Sequence, residues 1–342
     1  MDKTVDLLII GHGLAGAVLA STARMRGLQV HVFAAPKPGN ASAAAAGLVN
    51  PMALRRLVPA WRAADLLPLA SAFFTGRDAA LGMHTWHPLP LAKTFRTAEA
   101  KLAWQRAMAK PDAAPFLSGE WPGLAASAIS APFGHGTVPG AAWLDLPAYL
   151  QAEERVLAEH GAITQAEVEH ADVRCDDAAV EVQGVRARWL VRCLGPFAEL
   201  PGLVPVKGEI INLHIPGLHL DCAVHAGAFL LPLGNHLYRC GATFQWNEVW
   251  EGPRPSVAQW LLGQARSITD RPMELVAHNA GVRPASRDRR PLLGRTGPGQ
   301  AVFNGLGAKG VVQAPWCARH LLDHLFADAP LDPEVEAARF LA

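Results

Sequence analysis

The stretch Val5-Asp6-Leu7-Leu8-Ile9-Ile10-Gly11-His12-Gly13-Leu14-Ala15-Gly16 decides the fold. Its apolar first half is typical of a buried parallel strand, and the glycines after it have the spacing GxGxxG. The small and apolar residues that follow predict a helix ending near Gly27, and residues 30–33 predict a second strand. Strand, glycine turn, helix and strand in this order predict a dinucleotide-binding unit.

Each glycine of this turn has a physical task. Gly11 permits a tight turn, and Gly13 lets a pyrophosphate approach backbone amides at the positive end of the helix. Gly16 lets the helix pack closely against the strand. An ordinary glycine-rich turn is the alternative, but the flanking elements favour dinucleotide binding.

The end of the second strand departs from the usual dinucleotide pattern. Ala34 and Ala35 stand where an acidic residue commonly binds a ribose hydroxyl. The nearby Lys37 would suit a 2′-phosphate and hence NADP. Alternatively, backbone or water alone holds the ribose, and this first unit leaves both interpretations open.

Composition limits the class of protein. The chain has 342 residues, 31 Lys+Arg against 30 Asp+Glu, and 50% hydrophobic residues, which excludes a disordered chain and predicts one large domain or two. The near-neutral charge argues against nucleic acid as a partner. No apolar run reaches the ~18 to 20 residues of a membrane span.

The cysteines and histidines give no metal prediction. Five cysteines lie far apart without a CxxC pair, which argues against a zinc site or a disulfide framework and favours the reducing cytoplasm. His84 and His87, and His320 and His324, have metal-like spacings but lack an evident third ligand. We therefore predict no metal.

The rest of the chain mixes helices and strands. An apolar stripe supports a predicted helix over residues 52–82. Asp145 is predicted to cap another helix that runs to Glu159. Alternating stretches between 204 and 246 predict an antiparallel sheet. The stripe consists of Leu66, Leu67, Leu69 and Phe73, and further helices are predicted at 97–109, 255–268 and 314–326.

An ordered set of motifs extends over nearly the whole chain. These motifs are Ile9–Gly16, Ser42–Pro51, Cys193–Gly195, Pro205–Glu209, Gly241–Thr243, Gly281–Gly294 and Asn304–Gly310. In this order they resemble the D-amino-acid oxidase-like (DAO) flavoprotein superfamily. The chain looks most like glycine and sarcosine oxidases and the oxidase half of the bifunctional enzyme that modifies wobble uridine in tRNA. Residues 305–310 are more similar to the latter, although its methyltransferase half is not present here.

The resemblance implies an α/β (mixed α+β) fold. It consists of a Rossmann-type FAD-binding domain interleaved with a substrate domain built on an antiparallel sheet. The FAD-binding domain is predicted at 1–82, 145–205 and 278–342. The substrate-binding domain is predicted at 83–144 and 206–277.

The resemblance also implies noncovalent FAD. The pyrophosphate would lie on Gly11, Gly13 and Gly16, with adenine near the backbone of Val168. Ala46 and Gly47 match the turn beside the isoalloxazine ring. Amides at the start of the last helix, together with Lys309, would stabilise the anionic reduced flavin, which makes Lys309 a catalytic candidate. Further cofactor contacts are expected from Leu14, Ala15, Ser42, Leu48, Gly195, Gly305, Leu306, Gly307, Ala308 and Gly310.

Arg283 is the candidate for substrate recognition. Its fork would hold a carboxylate through two charge-assisted hydrogen bonds and so aim a Cα–H at flavin N5. The alternative is an arginine that satisfies buried carbonyls. Phe229 lies where glycine oxidase-like proteins place a substrate-binding tyrosine. Phe244, Trp246 and Arg55 complete the predicted pocket, although core packing for the aromatics and a solvated helix face for Arg55 are alternatives.

The predicted function is oxidation of a C–N bond in a small amine or amino acid that is glycine-, sarcosine- or D-amino-acid-like. Hydride transfer to FAD would be followed by imine hydrolysis, with O2 as the expected acceptor. One alternative is a tRNA-modifying flavoprotein oxidase acting on a carboxymethylaminomethyl-type group. Another is an NADP-linked reductase. The sequence does not indicate an oligomeric state.

Overall fold

A computed structural model describes residues 3–124, 129–176 and 179–341. The α-helices are α1 Leu14–Met25, α2 Ala41–Ala44, α3 Ala63–Leu81, α4 Ala98–Met108, α5 Leu146–Glu159, α6 Pro255–Arg266 and α7 Gly310–Ala327. The strands are β1 Lys3–Ile10, β2 Val30–Ala34, β3 Leu48–Val49, β4 Met52–Ala53, β5 Val58–Pro59, β6 Trp86–Pro88, β7 Leu91–Thr94, β8 His135–Val138, β9 Ala142–Leu144, β10 Ile163–Gln165, β11 Val173–Cys175, β12 Val180–Val182, β13 Val185–Arg192, β14 Leu203–His214, β15 Ala223–Ala226, β16 Ala228–Gly234, β17 Leu237–Gly241, β18 Glu274–Ser286, β19 Leu292–Gly297 and β20 Gln300–Asn304.

A mainly parallel sheet carries the predicted dinucleotide-binding unit. Its path runs β10-β2-β1-β13-β12-β11, and β20 pairs in parallel with β13. Leu7 and Ile9 on β1 are fully buried in a core shared with α1, α5 and α7. Because β1, β13 and β20 end at one edge, Gly11, Cys193 and Gly305 come together there. That edge is where open α/β sheets bind ligands.

A second sheet of seven strands has the order β18-β14-β17-β16-β15-β7-β8. One face packs against α6 through buried residues such as Leu230, Cys240 and Leu261. We call the opposite face the site face; it carries Phe229, Arg239 and Arg283. The predicted antiparallel sheet is confirmed, and with it the mixed α/β fold class.

The predicted helix over 52–82 is wrong in its first part. Residues 52–59 form the β4–β5 hairpin, and α3 begins only at Ala63. Val58 precedes a proline, which disfavours helical backbone, and Arg62 at the start of α3 has a left-handed φ of 48°. Leu66 is fully buried as expected, but Leu69 is 41% exposed and lies outside the core.

The other predicted helices are found. Asp145 accepts a hydrogen bond from the backbone N–H of Ala148 (3.2 Å) and starts α5, with a proline in the first turn. The last helix begins at Gly310, four residues earlier than predicted. None of the helices in the described ranges has the length and hydrophobicity needed to cross a bilayer.

The predicted domain boundaries at 205/206 and 277/278 fall inside strands. β14 pairs with β18 from Leu203 opposite Ser286 to His214 opposite Glu274. At these two points the chain therefore passes between the predicted domains along paired strands and not through linkers.

Candidate cofactor and substrate site

The glycine turn between β1 and α1 is packed too closely for side chains. A Cβ on Gly16 would lie 1.9 Å from the carbonyl oxygen of Gly11. Gly11 has a φ of +103°, and a Cβ there would lie 2.5 Å from the carbonyl oxygen of Cys193. Gly13 caps α1 without a side-chain hydrogen bond, so the first-turn N–H groups of Ala15 and Gly16 have no partner among the described residues and can bind an anion.

His12 adds an unpaired polar atom to this turn. Its Nε2 is buried and has no hydrogen-bond partner in the described part of the chain. Burial lowers the pKa of His12 to about 4, so the ring is neutral at physiological pH. Because a buried polar atom without a partner is costly, a ligand that supplies one fits this position. The glycine turn and His12 together fit a dinucleotide.

Two further segments meet the start of α1. The hydroxyl of Ser42, in α2, accepts a hydrogen bond from the N–H of Leu14 (3.0 Å). Gly310, the first residue of α7, packs on Leu14 so closely that a Cβ would lie 3.0 Å from the leucine Cδ2. Three predicted cofactor segments, separated in sequence, are thus adjacent in the structure.

The turn at Ala46 and Gly47 is fixed from two sides. Gly47 has a φ of +76°, and a Cβ there would lie 1.9 Å from the carbonyl oxygen of Leu144. The carbonyl of Ala46 accepts hydrogen bonds from Trp143 Nε1 (3.0 Å) and Arg239 Nη1 (3.2 Å). The turn therefore stays in one position relative to the antiparallel sheet, and Leu48 follows it in β3.

The loop 305–309 joins the two sheets. Asn304 donates from Nδ2 to the carbonyl of Gly195 (2.9 Å), and its Oδ1 accepts from the N–H of Gly305 (2.8 Å). The N–H of Gly307 donates to the carbonyl of Pro284 (2.9 Å), next to Arg283. The predicted cofactor loop is thereby held against the strand that carries the candidate substrate residue.

Lys309 stands directly before α7. Its Nζ donates to the carbonyl oxygens of Asn50 (2.5 Å) and Met52 (3.3 Å), and no carboxylate of the described residues forms an ion pair with it. Burial lowers the pKa of Lys309 from its usual 10.5 to about 8. Lys309 therefore places a cation at the start of α7, and this cation loses its proton at a lower pH than an ordinary lysine.

Arg283 lies flat on its own sheet. The guanidinium occupies the space above Gly208, where a Cβ would be 2.1 Å from Nη2. Nη1 donates to the carbonyl of Thr243 (3.1 Å), and the ring of Phe244 lies 4.4 Å from Cζ. Burial lowers the pKa of Arg283 to about 10, and none of the ion pairs among the described residues includes it. Among the described residues the guanidinium uses one of its five donors, and the others are free for a ligand.

The predicted pocket residues differ in position. Phe229 lies half-buried on the site face, beside Gly241, and Phe244 covers Arg283. Trp246 comes two residues after Phe244, in a bend, and is 62% exposed. Arg55 lies exposed in the turn of the β4–β5 hairpin, so the alternative of a solvated helix face is wrong because this segment is not helical.

A buried charge cluster holds the segment behind Arg283. Glu209 and Lys207, both on β14, form an ion pair (3.0 Å) and are almost completely inaccessible to solvent. Lys207 Nζ donates to the carbonyl of Gly252 (2.7 Å), and Glu209 Oε2 accepts from the N–H of Arg254 (2.9 Å). The N–H of Glu209 also donates to the hydroxyl of Thr243 (2.9 Å). Residues 243–254 are therefore tied to β14 at both ends.

The family model for FAD-dependent oxidoreductases (DAO) matches residues 6–324. The chain belongs to this family. Glycine oxidase from Bacillus cereus ATCC 14579 is 20% identical with a TM-score of 0.80, over 95% of this chain and 96% of that one. Iminodiacetate oxidase from Chelativorans sp. BNC1 is 22% identical with a TM-score of 0.77, over 98% of both chains. These similarities establish a shared fold from end to end.

Family membership confirms the predicted cofactor: this DAO-family protein is an FAD-dependent oxidoreductase. The cation that suggested NADP is engaged elsewhere, since Lys37 forms an ion pair with Glu167 and lies over the ring of Phe197. Val168, the predicted adenine contact, is half-buried just after β10, beside the end of β2. Its contact with adenine stays a prediction.

The DAO-family site contains two positioning residues that are not among the predicted site residues. Arg239 links the turn at Ala46 to the antiparallel sheet, and Asn304 links Gly195 to Gly305. For Arg239, the available signal was its position in an alternating strand, between the buried residues Tyr238 and Cys240. For Asn304, the signal was a polar residue at the end of an apolar strand.

Proposed function

We propose that this FAD-dependent oxidoreductase oxidises a C–N bond of a small amine or amino acid that carries a carboxylate. The observation that supports this most strongly is Arg283, a half-buried cation without an acidic partner in the described ranges, lying on the site face. A cation in such a place is best satisfied by an anionic ligand. The glycine oxidase and iminodiacetate oxidase of the same fold act on compounds of this class by their names.

Arg283 would bind and orient the substrate. Thr243 and Phe244 fix the guanidinium, so little side-chain entropy is lost when its free N–H groups bind a carboxylate. Phe229 and Ile210 give the neighbouring surface an apolar character that excludes water. Because Phe229 has no hydroxyl, the carboxylate would depend on Arg283 alone at this point.

The chemistry needs little more from the protein. When bound, FAD would supply the two-electron acceptor for the hydride that leaves the substrate C–H bond. The substrate nitrogen must be neutral to release electron density, and the product imine then takes up water to give a carbonyl compound and an amine or ammonia. We propose O2 as the final electron acceptor. Residues 11–16, 42–48, 195 and 305–310 would hold the cofactor.

Anaerobic bleaching of the flavin absorbance tests the proposal. The yellow holoenzyme is mixed with glycine, sarcosine, other N-substituted glycines, D-amino acids and amines that lack a carboxylate. We expect bleaching by some of the carboxylate-bearing compounds and much slower bleaching by the simple amines. A flavin that stays oxidised across the carboxylate-bearing compounds would overturn the proposal.

Lys309 should give the reaction a pH dependence. Its pKa of about 8 means that the side chain loses its proton as the pH rises through that value. If its charge stabilises the reduced cofactor, kcat falls above pH 8, and Lys309→Met lowers kcat about tenfold below pH 8 and removes this decline. Lys309→Arg keeps the charge, so its kcat should not decline above pH 8 and should stay higher than that of Lys309→Met. Identical pH profiles for all three proteins would contradict this role.

A further inference from the structure

A row of side chains crosses the site face beyond Phe229. In the strand register, Gly241 lies opposite Phe229, Phe229 opposite His225, and His225 opposite Lys93. The residues next to them, among them Ala92, Val224 and Leu230, are buried on the opposite face against α6. Since successive side chains in a strand alternate between faces, Lys93 and His225 lie on the face that carries Arg283.

Lys93 and His225 have polar atoms without partners. The ammonium group of Lys93 forms no hydrogen bond or ion pair with any residue that the structure describes. His225 Nδ1 is buried and equally unpartnered. The neighbouring Arg96 is engaged, because it donates to the carbonyl of Ala226 and to the hydroxyl of Ser267.

The electrostatics of this pair favour an anion. Burial and the nearby Arg96 lower the pKa of Lys93, and burial and Lys93 lower that of His225 to about 4. His225 is therefore neutral near pH 7 and able to donate one hydrogen bond. No carboxylate among the described residues offsets Lys93, so a bound anion would relieve the cost of its burial.

We propose that Lys93 and His225 form a distal subsite for a second carboxylate of the substrate. This inference rests on the proposed function, in which Arg283 binds the first carboxylate. The guanidinium of Arg283 lies over β14, and Lys93 is on β7, four strands away. At ~4.8 Å per strand the sheet separates the guanidinium from β7 by about 19 Å, and the long side chain of Lys93 can shorten this distance. The substrate class is thus an extended amino acid or amine with acidic groups at both ends.

Ligand titration of the holoenzyme tests the subsite without turnover. Flavin absorbance is followed while adipate, suberate or sebacate is added, and each is compared with the monocarboxylate of equal chain length. We expect Lys93→Met to weaken binding of at least one dicarboxylate about tenfold and to leave its monocarboxylate unchanged. Lys93→Arg should restore binding. Lys101→Met, which removes an exposed lysine from α4, is the matched control.

The outcomes separate the two proposals. If Lys93→Met leaves the ratio of dicarboxylate to monocarboxylate affinity unchanged at every length, the distal subsite is wrong. If Lys101→Met lowers this ratio as much as Lys93→Met does, the effect comes from the loss of any positive charge, and the proposed subsite is also wrong. If Arg283→Ala leaves both kinds of ligand bound as in the wild type, the proposed function fails instead.

Discussion

Arg283→Ala is expected to lower kcat/KM for a carboxylate-bearing amine about 10²- to 10³-fold. The variant removes the paired charge-assisted hydrogen bonds proposed to hold the substrate, and truncating one partner of a desolvated charge pair costs about 2 to 5 kcal/mol. The FAD content should stay at the wild-type level, because the Arg283 side chain's hydrogen bond among the described residues goes to Thr243, which is not a predicted cofactor residue. Single-turnover flavin reduction measures both quantities on one sample.

Two further variants make this result specific. Arg283→Lys keeps the charge but loses the planar fork, so kcat/KM should recover only partly. Arg287→Ala, which removes an exposed arginine four residues away, should leave kcat/KM within twofold of the wild type. Wild-type turnover by Arg283→Ala would show that the arginine only satisfies the carbonyl of Thr243.

The sequence predicts those parts of the site that depend on local chain geometry. The close contact between Gly16 and Gly11 follows from a strand, a turn and a helix that are consecutive, so the spacing of the glycines alone identifies it. Asp145 is similar, because an N-cap and a proline in the first turn define a helix start within three residues. The order of the family motifs then identifies Gly47 and Gly305.

Long-range pairing accounts for what the sequence does not predict. Gly208 makes room for Arg283 only because β14 pairs with β18, some seventy residues later in the chain. Lys93 meets His225 through a parallel pairing of β7 with β15, which no local pattern reveals. The sequence does not predict the β4–β5 hairpin, because its apolar residues also suit a helix and the proline after Val58 outweighs that periodicity.

The near-neutral charge of the chain hides an uneven distribution. Four cations lie on the site face or beside the turns next to it, and none belongs to an ion pair among the described residues. They are Lys93, Arg239, Arg283 and Lys309. Other arginines in the same ranges, such as Arg77 and Arg339, are paired with carboxylates. Positive charge is therefore left uncompensated where an anionic cofactor and substrate are expected, and total charge alone could not indicate this.

Gly16→Ala is expected to abolish stable FAD binding. The added methyl group would lie 1.9 Å from the carbonyl oxygen of Gly11, a backbone atom that cannot move aside as a flexible side chain could. Separating α1 from the turn would displace the amides at its N-terminus, and overpacking of this kind costs about 1 to 3 kcal/mol of folding free energy. Flavin absorbance per protein and thermal unfolding measure the two effects.

Gly76→Ala is the matched control, since it makes the same change in another helix. Gly76 lies within α3, and a Cβ there meets nothing within 4 Å. Alanine stabilises a helix interior by about 0.8 to 1 kcal/mol relative to glycine, so Gly76→Ala should raise the free energy of unfolding and keep its FAD. Because helix propensity favours alanine at both positions, opposite outcomes isolate the contact with Gly11. A Gly16→Ala protein with full flavin content would mean that α1 can shift without losing the cofactor, and the close packing of this turn would then not be what FAD binding requires.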